Sequence, residues 1–187
     1  MERTLFEKIK NSKYADFISF AVWDEIDLDD FSAIEEDIDI LNQNILIVGL
    51  NISRGVKKFQ NFHVRHRGGR DSWLRGAFNR SCFRGAYMTD IIKNDVSPKQ
   101  SLVDLNKNNI LRNVDDFRKE IHFIECKTPD IIAIGDKTTE ILQHYFLEYA
   151  ESIYSIPHYA KRGIKKEEFF ESVKELEGKL INKKLGK

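Results

Sequence analysis

Two continuous apolar runs dominate the hydropathy pattern of the chain, Ile45-Leu46-Ile47-Val48 and Ile131-Ile132-Ala133-Ile134, and each is closed by a glycine, Gly49 and Gly135. Runs of this length without polar alternation predict strands buried on both faces. Gly85 to Lys93 predicts a further strand ending near Thr89-Asp90, and Ile153–Ile156 a short one. Helical spacing fills the intervals. Leu5, Phe6, Ile9, Tyr14, Phe17, Ile18 and Phe20 predict an opening amphipathic helix within residues 3–23. A helix from about Asp71 packs Trp73, Leu74 and Phe78, another spans 113–127 through Phe117, Ile121 and Ile124, and Asp136–Leu142 opens a third. Phe169, Val173, Leu176 and Leu180 share one face of a closing helix. Strands alternating with helices predict an α/β fold, a three-layer α/β/α sandwich on a mostly parallel four-stranded central sheet. At 187 residues the chain is expected to be one domain, 1–187, with residues 1–43 an acidic helical segment and 164–187 the closing helix.

Hydrophobic residues make up 41% of the chain, enough to fold, and no apolar run approaches the roughly 20 residues that cross a bilayer. The N-terminal stretch lacks a signal-peptide core, so the expected location is cytoplasmic. Cys82 and Cys126 stand alone, without the ligand spacing of a structural zinc or iron–sulfur site. Net charge is zero, yet residues 1–43 hold twelve acids against four bases, and residues 54–84 hold nine Lys/Arg against Asp71 alone. That asymmetry points to a basic face and a nucleic-acid or phosphate partner, unless the basic segment simply answers the acidic one within the monomer. The aspartate-rich stretch Asp24 to Asp39 reads as a solvated face. His63 and His66 form H-x-x-H without an evident third ligand, so DNA contact or plain exposure is expected there and no metal.

The candidate chemistry gathers at strand ends, where open parallel sheets bind ligands. Asn51 follows the first run; it either meets a ligand or tightens the strand-exit turn. Asp90 ends an apolar strand and needs a partner, a ligand or a helix to cap. Between them lies a basic segment with Gly68-Gly69 and the aromatics Phe59, Phe62, Trp73 and Phe78, a lid able to hold phosphates and stack a base. Phe62 sits among polar neighbours, outside any periodic pattern.

In order and spacing, these strand ends resemble the uracil-DNA glycosylase superfamily, and most closely its mismatch-specific and single-strand-selective branches. Gly49-Leu50-Asn51-Ile52-Ser53 is similar to the first motif, with Ile52 in place of proline. Tyr87 to Lys93 is similar to the middle strand, and Pro129 to Leu142 to the buried strand, glycine and helix before the final motif. Ile156 to Gly163 takes the place of the His-Pro-Ser loop, with Pro157 before His158 rather than after it.

The resemblance implies a uracil-DNA glycosylase-like fold and a monofunctional glycosylase, a monomer acting on DNA without a cofactor. Asn51 would orient the attacking water, since an amide can hold but not deprotonate it. His158 would face the base oxygen, Phe62 would stack the base, and Gly49 and Leu50 would line its site. Asp90 would meet the base edge as an acceptor, admitting uracil in mismatches or a modified pyrimidine, such as modified cytosine in phage DNA. Ser53, His63, Lys161 and Arg162 are candidates for DNA contacts. Two other readings remain: a catalytically retired member that binds nucleic acid or a nucleobase, and a phosphate-binding α/β protein using Gly135 and the following helix start.

Overall fold

The computed structural model describes residues 1–23, 32–54, 57–63 and 70–186. In chain order its main elements are α1 (Arg3–Lys10), β1 (Ser19–Phe20), α2 (Ser32–Glu36), β2 (Asn42–Asn51), α3 (Asp71–Phe78), β3 (Ala86–Ile92), α4 (Lys107–Phe123), β4 (Asp130–Ile134), α5 (Asp136–Tyr145), β5 (Ile153–Ile156) and α6 (Lys166–Lys184). The strands form one sheet in the order β1-β3-β2-β4-β5.

The first apolar run is the centre of the sheet because it has partners on both edges. β2 pairs in parallel with β3, Gly49 opposite Asp90, and with β4, Val48 opposite Ala133. Successive side chains of β2 therefore enter two different cores. Leu46, Val48 and Leu50 pack with α1, α4 and α5; Ile45 and Ile47 pack with α3 and α6. The three-layer α/β arrangement follows from that alternation.

The sheet has five described strands rather than four. The extra one, β1, runs antiparallel on the outer edge of β3, with Ser19 opposite Met88 and Phe20 opposite Tyr87. It occupies the end of the stretch expected to be a single opening helix. That helix stops at Lys10 because side chains there compete with its backbone: Asn11 Nδ2 donates to the Glu7 carbonyl, Ser12 Oγ donates to that of Ile9, and Ser12 Oγ accepts from Tyr14 N–H. α4 begins well before Asn113, since Asn106 caps it by accepting from the Asn109 N–H at 2.9 Å. Trp73, Leu74 and Phe78 pack inward from α3 as expected. Of the aspartate-rich stretch, residues 24–31 lie outside the described residues, as do Gly68, Gly69 and His66. Among the described residues no helix is long and apolar enough to cross a membrane.

One polar cluster is sealed inside the α4 layer. Glu120 is fully buried and accepts from the Tyr87 hydroxyl at 2.9 Å and the Thr89 hydroxyl at 2.8 Å. The Lys93 ammonium lies 2.7 Å from its other oxygen. Removing one partner of a buried ion pair strands the rest. Glu120→Ala is therefore expected to lower stability by about 3–5 kcal/mol in urea unfolding followed by circular dichroism.

Candidate active site

The carboxyl ends of β2, β3 and β4 open on one cleft of about 830 Å³, within the size range of small-ligand sites. All the site residues expected from the sequence border it except His63. Leu50 borders it too, although its side chain belongs to the core on the opposite face of the sheet.

Asp90 lies at the floor with 2% of its surface exposed. Its Oδ2 accepts from Asn61 Nδ2 at 2.8 Å, and the second proton of that amide goes to the Phe17 carbonyl at 2.7 Å. Gly49 makes this approach possible: a Cβ there would stand 2.2 Å from Asp90 Oδ1 and 3.1 Å from the Phe62 ring. Phe62 itself adopts a left-handed backbone, φ 67°, uncommon for a bulky residue. Its ring therefore lies over the bare Gly49 beside the carboxylate. Burial pushes the Asp90 carboxyl up to about 6, against the opposing pull of the Asn61 hydrogen bond and the Lys93 charge; Glu120 adds to the rise.

Asn51 ties down the exit of β2. Its amide nitrogen donates to the carbonyls of Ile52 at 3.0 Å and Ser97 at 2.8 Å, which ties the end of β2 to the loop after β3. Carbonyl partners fix the amide's orientation, because only its NH2 can donate to them. No described group donates to Oδ1, which is left as a solvent-accessible acceptor.

His158 reaches the cleft on the loop after β5. Gly135, with φ 89°, lets that loop approach; a Cβ on Gly135 would sit 3.2 Å from His158 Cβ. The Ala160 N–H donates to Nδ1 at 3.0 Å, so the proton of the neutral ring is on Nε2. Burial lowers the pKa below 6.5, favouring that neutral ring. His158 thus offers an uncharged N–H donor. Tyr159 stacks on it at 4.6 Å, and the Asp71 carboxylate beside the Tyr159 hydroxyl helps burial raise the phenol's pKa.

Ser53, Lys161 and Arg162 stand exposed at the rim, with Lys161 paired to Asp136 at 3.2 Å. Asp136 begins α5, whose N-cap, Gly135, has no side chain to occupy the first N–H groups. Thr138, on the same turn, borders the cleft with a buried hydroxyl that has no partner among the described residues. Free N–H groups at a helix start are suited to an anion.

His63 corrects the sequence reading. It is buried, stacked on Trp23 at 4.8 Å, with Nε2 3.0 Å from the Phe20 carbonyl. Burial depresses its pKa to about 4, so it is a neutral packing residue rather than a phosphate contact. Three contributors escaped the sequence reading. Asn61 and Tyr159 carry no motif of their own. Arg70 lay hidden in the basic segment, yet its guanidinium donates to the carbonyls of Tyr159, Lys161 and Ile164 and so fastens the His158 loop.

The Asp90 shift has a stability consequence. With a folded pKa of about 6 against an ordinary 3.8, the folded state binds the proton more tightly. The carboxyl favours folding below pH 4, and that contribution is lost as pH rises from 4 to 6. Asp90→Asn is expected to raise stability at pH 8 by on the order of 2 kcal/mol, with the gain fading by pH 4 in paired urea titrations. No protein-family model matches the chain, and no curated protein matches it, so the chemistry of the cleft rests on the groups it holds.

Proposed function

We propose that this chain is a monofunctional DNA glycosylase that draws a pyrimidine nucleotide out of the stack and hydrolyses its N-glycosidic bond, leaving an abasic site. One observation carries the reading: Asn51, Phe62, Asp90 and His158, from four separate segments, converge on one cleft at the strand ends. Asn51, Asp90 and His158 lie on segments that resemble the uracil-DNA glycosylase superfamily. The four parallel strands β3, β2, β4 and β5 within a three-layer sandwich are consistent with that fold.

The groups divide the reaction among them. Phe62 offers a face for the flipped base, worth roughly 1–3 kcal/mol of stacking. As the C1′–N1 bond breaks, the base leaves with the bonding electron pair. His158 Nε2–H donates to the base carbonyl on which that charge gathers. Asn51 Oδ1 accepts from a water whose oxygen forms the new bond to C1′. The water's proton passes to solvent or to the departing base. Two lysines border the cleft, Lys137 and Lys161, and both are held in ion pairs. Both amino groups are turned to carboxylates, Glu140 and Asp136, which favours an intact abasic product. At the mouth, Ser53, Arg162 and the α5 N-terminus supply phosphate contacts.

The test is base release from labelled oligonucleotides carrying uracil or a modified cytosine, in single strands and in duplexes, followed by alkali cleavage. Asn51→Ala and His158→Ala are each expected to slow single-turnover release by about 10²–10³-fold, and Phe62→Ala by about tenfold or more. DNA binding should weaken steeply with salt as phosphate contacts are screened. Salt-sensitive binding with no base released from any oligonucleotide would reject the enzyme and leave a binding module.

A further inference from the structure

We infer that the pyrimidine this cleft accepts carries an amino group at C4, as cytosine and its 5-substituted forms do, rather than the O4 carbonyl of uracil. The inference rests on the glycosylase reading and names its substrate class.

The floor of the cleft holds one open acceptor among committed donors. Asp90 Oδ2 is occupied by Asn61, while Oδ1 receives no hydrogen bond from a described group and keeps contact with the cleft beside Gly49 and the Phe62 ring. A carboxylate that is 98% buried therefore presents one unpartnered acceptor to the ligand. The neighbouring donors are already engaged. Both protons of the Asn61 amide are taken, by Asp90 and the Phe17 carbonyl. The Tyr159 hydroxyl lies beside the Asp71 carboxylate, and the Lys93 ammonium is held by the Asp90 carbonyl and Glu120. Gly49 and Phe62 add no polar hydrogen from a side chain.

An acceptor flanked by committed donors selects a base edge that donates. The C4 amino group places an N–H against Oδ1. Uracil can offer only its N3–H to Oδ1 and then holds O4 beside the same carboxylate, two acceptors side by side, and sites mismatched in this way discriminate strongly. The His158 N–H faces the O2 carbonyl, which both bases share, so it leaves the choice to Asp90. A cytosine-type base is also the poorer leaving group, since it lacks the second carbonyl that spreads uracil's charge. That places a greater share of the barrier on the His158 donor.

The groups that act on Asp90 are Asn61, Lys93 just past the end of its own strand, Tyr159 from the loop after β5 and, through the sheet, Glu120 from α4. Protonation of Asp90 at low pH turns its open oxygen into a donor that suits O4. The preference should therefore be widest at pH 8 and narrow toward pH 5.

The experiment compares wild type with Asp90→Asn on single-stranded oligonucleotides containing uracil, cytosine, 5-methylcytosine or 5-hydroxymethylcytosine. In parallel, binding is measured to oligonucleotides with a single 2′-fluorocytidine or 2′-fluorouridine, whose glycosidic bonds resist hydrolysis. Wild type at pH 8 is expected to release one of the amino-bearing bases at least about tenfold faster than uracil, and to bind 2′-fluorocytidine about tenfold tighter than 2′-fluorouridine. Asp90→Asn, which adds an amide donor, should shift both ratios toward uracil by a similar factor. Wild-type release of uracil equal to or faster than that of every amino-bearing base would overturn the inference and leave the glycosylase reading standing. If no base is released at all, the glycosylase reading falls, and the binding ratio decides the inference: a tenfold preference for 2′-fluorocytidine upholds it, and equal binding overturns it.

Discussion

The cleft depends on a carboxylate placed against a residue with no side chain. Gly49 and Asp90 are register partners on adjacent parallel strands, and both face the layer that holds the cleft. Any Cβ on Gly49 would enter the space of Asp90 Oδ1, while the Phe62 ring closes over the same spot. A glycine in the middle of a buried sheet loses packing and backbone entropy. Here that loss gives a ring and a carboxylate room to meet at the end of two strands. Leu46 and Val48, on the other face of the same strand, supply the apolar burial that keeps the sheet together despite it.

Burial is the main reason Asp90 holds its proton so readily, and a second carboxylate on the opposite side of β3 adds to it. Glu120 is satisfied by two hydroxyls and by the ammonium of Lys93, so it takes the one nearby cation for itself. Lys93 also donates to the main-chain carbonyl of Asp90, which leaves the Asp90 side chain with a single amide hydrogen bond. Two buried acids thus share one buried base. Of the two, Asp90 has the weaker set of donors, and burial holds its carboxyl above its ordinary value. Position along β3 decides which: Tyr87 and Thr89 point toward α4, and Asp90 points away from it.

The sheet was legible because its strands are apolar runs with glycine or proline punctuation, and the helices because their buried faces repeat at helical spacing. Ile45 to Val48 and Ile131 to Ile134 could hardly sit elsewhere than at the centre. β1 was invisible for the opposite reason. Two residues, Ser19 and Phe20, are too few to show a strand period, Phe20 falls in with the helical spacing before it, and their strand character comes only from pairing with β3. The strand-end residues of the site were legible once the strands were placed, since position alone brings Asn51 and Asp90 to one end of the sheet. Their partners were not. Asn61 and Arg70 matter through hydrogen bonds that span long sequence separations, and nothing in the local pattern marks them. His63 failed in the other direction: a histidine in a basic segment looked exposed, but Trp23 and the Phe20 carbonyl provide it with a buried socket.

The charge asymmetry of the sequence divides in the same way between structure and ligand. Arg84 reaches Asp37 at 3.3 Å, and the Lys58 ammonium donates to the Lys10 carbonyl at 3.0 Å, so part of the basic segment does answer the N-terminal region within the chain. Arg70 is committed as well, stacked on Trp73 at 4.7 Å and bonded to three carbonyls of the loop that carries His158. A guanidinium has enough donors in a fixed plane to bridge several acceptors at once, a role lysine fills poorly. Part of the positive charge that first pointed to nucleic acid is therefore spent within the chain, that of Arg70 on the cleft's own wall. Among the described residues, the rim offers a phosphate Ser53, Arg54 and Arg162 and the uncapped start of α5. On the proposed reading, an anion held there would sit at the mouth with the base edge against Asp90 at the floor. The cleft is therefore polarised along its depth, with donors outside and an acceptor within, and a nucleotide with its phosphate at the surface and a donating base edge inside matches that order.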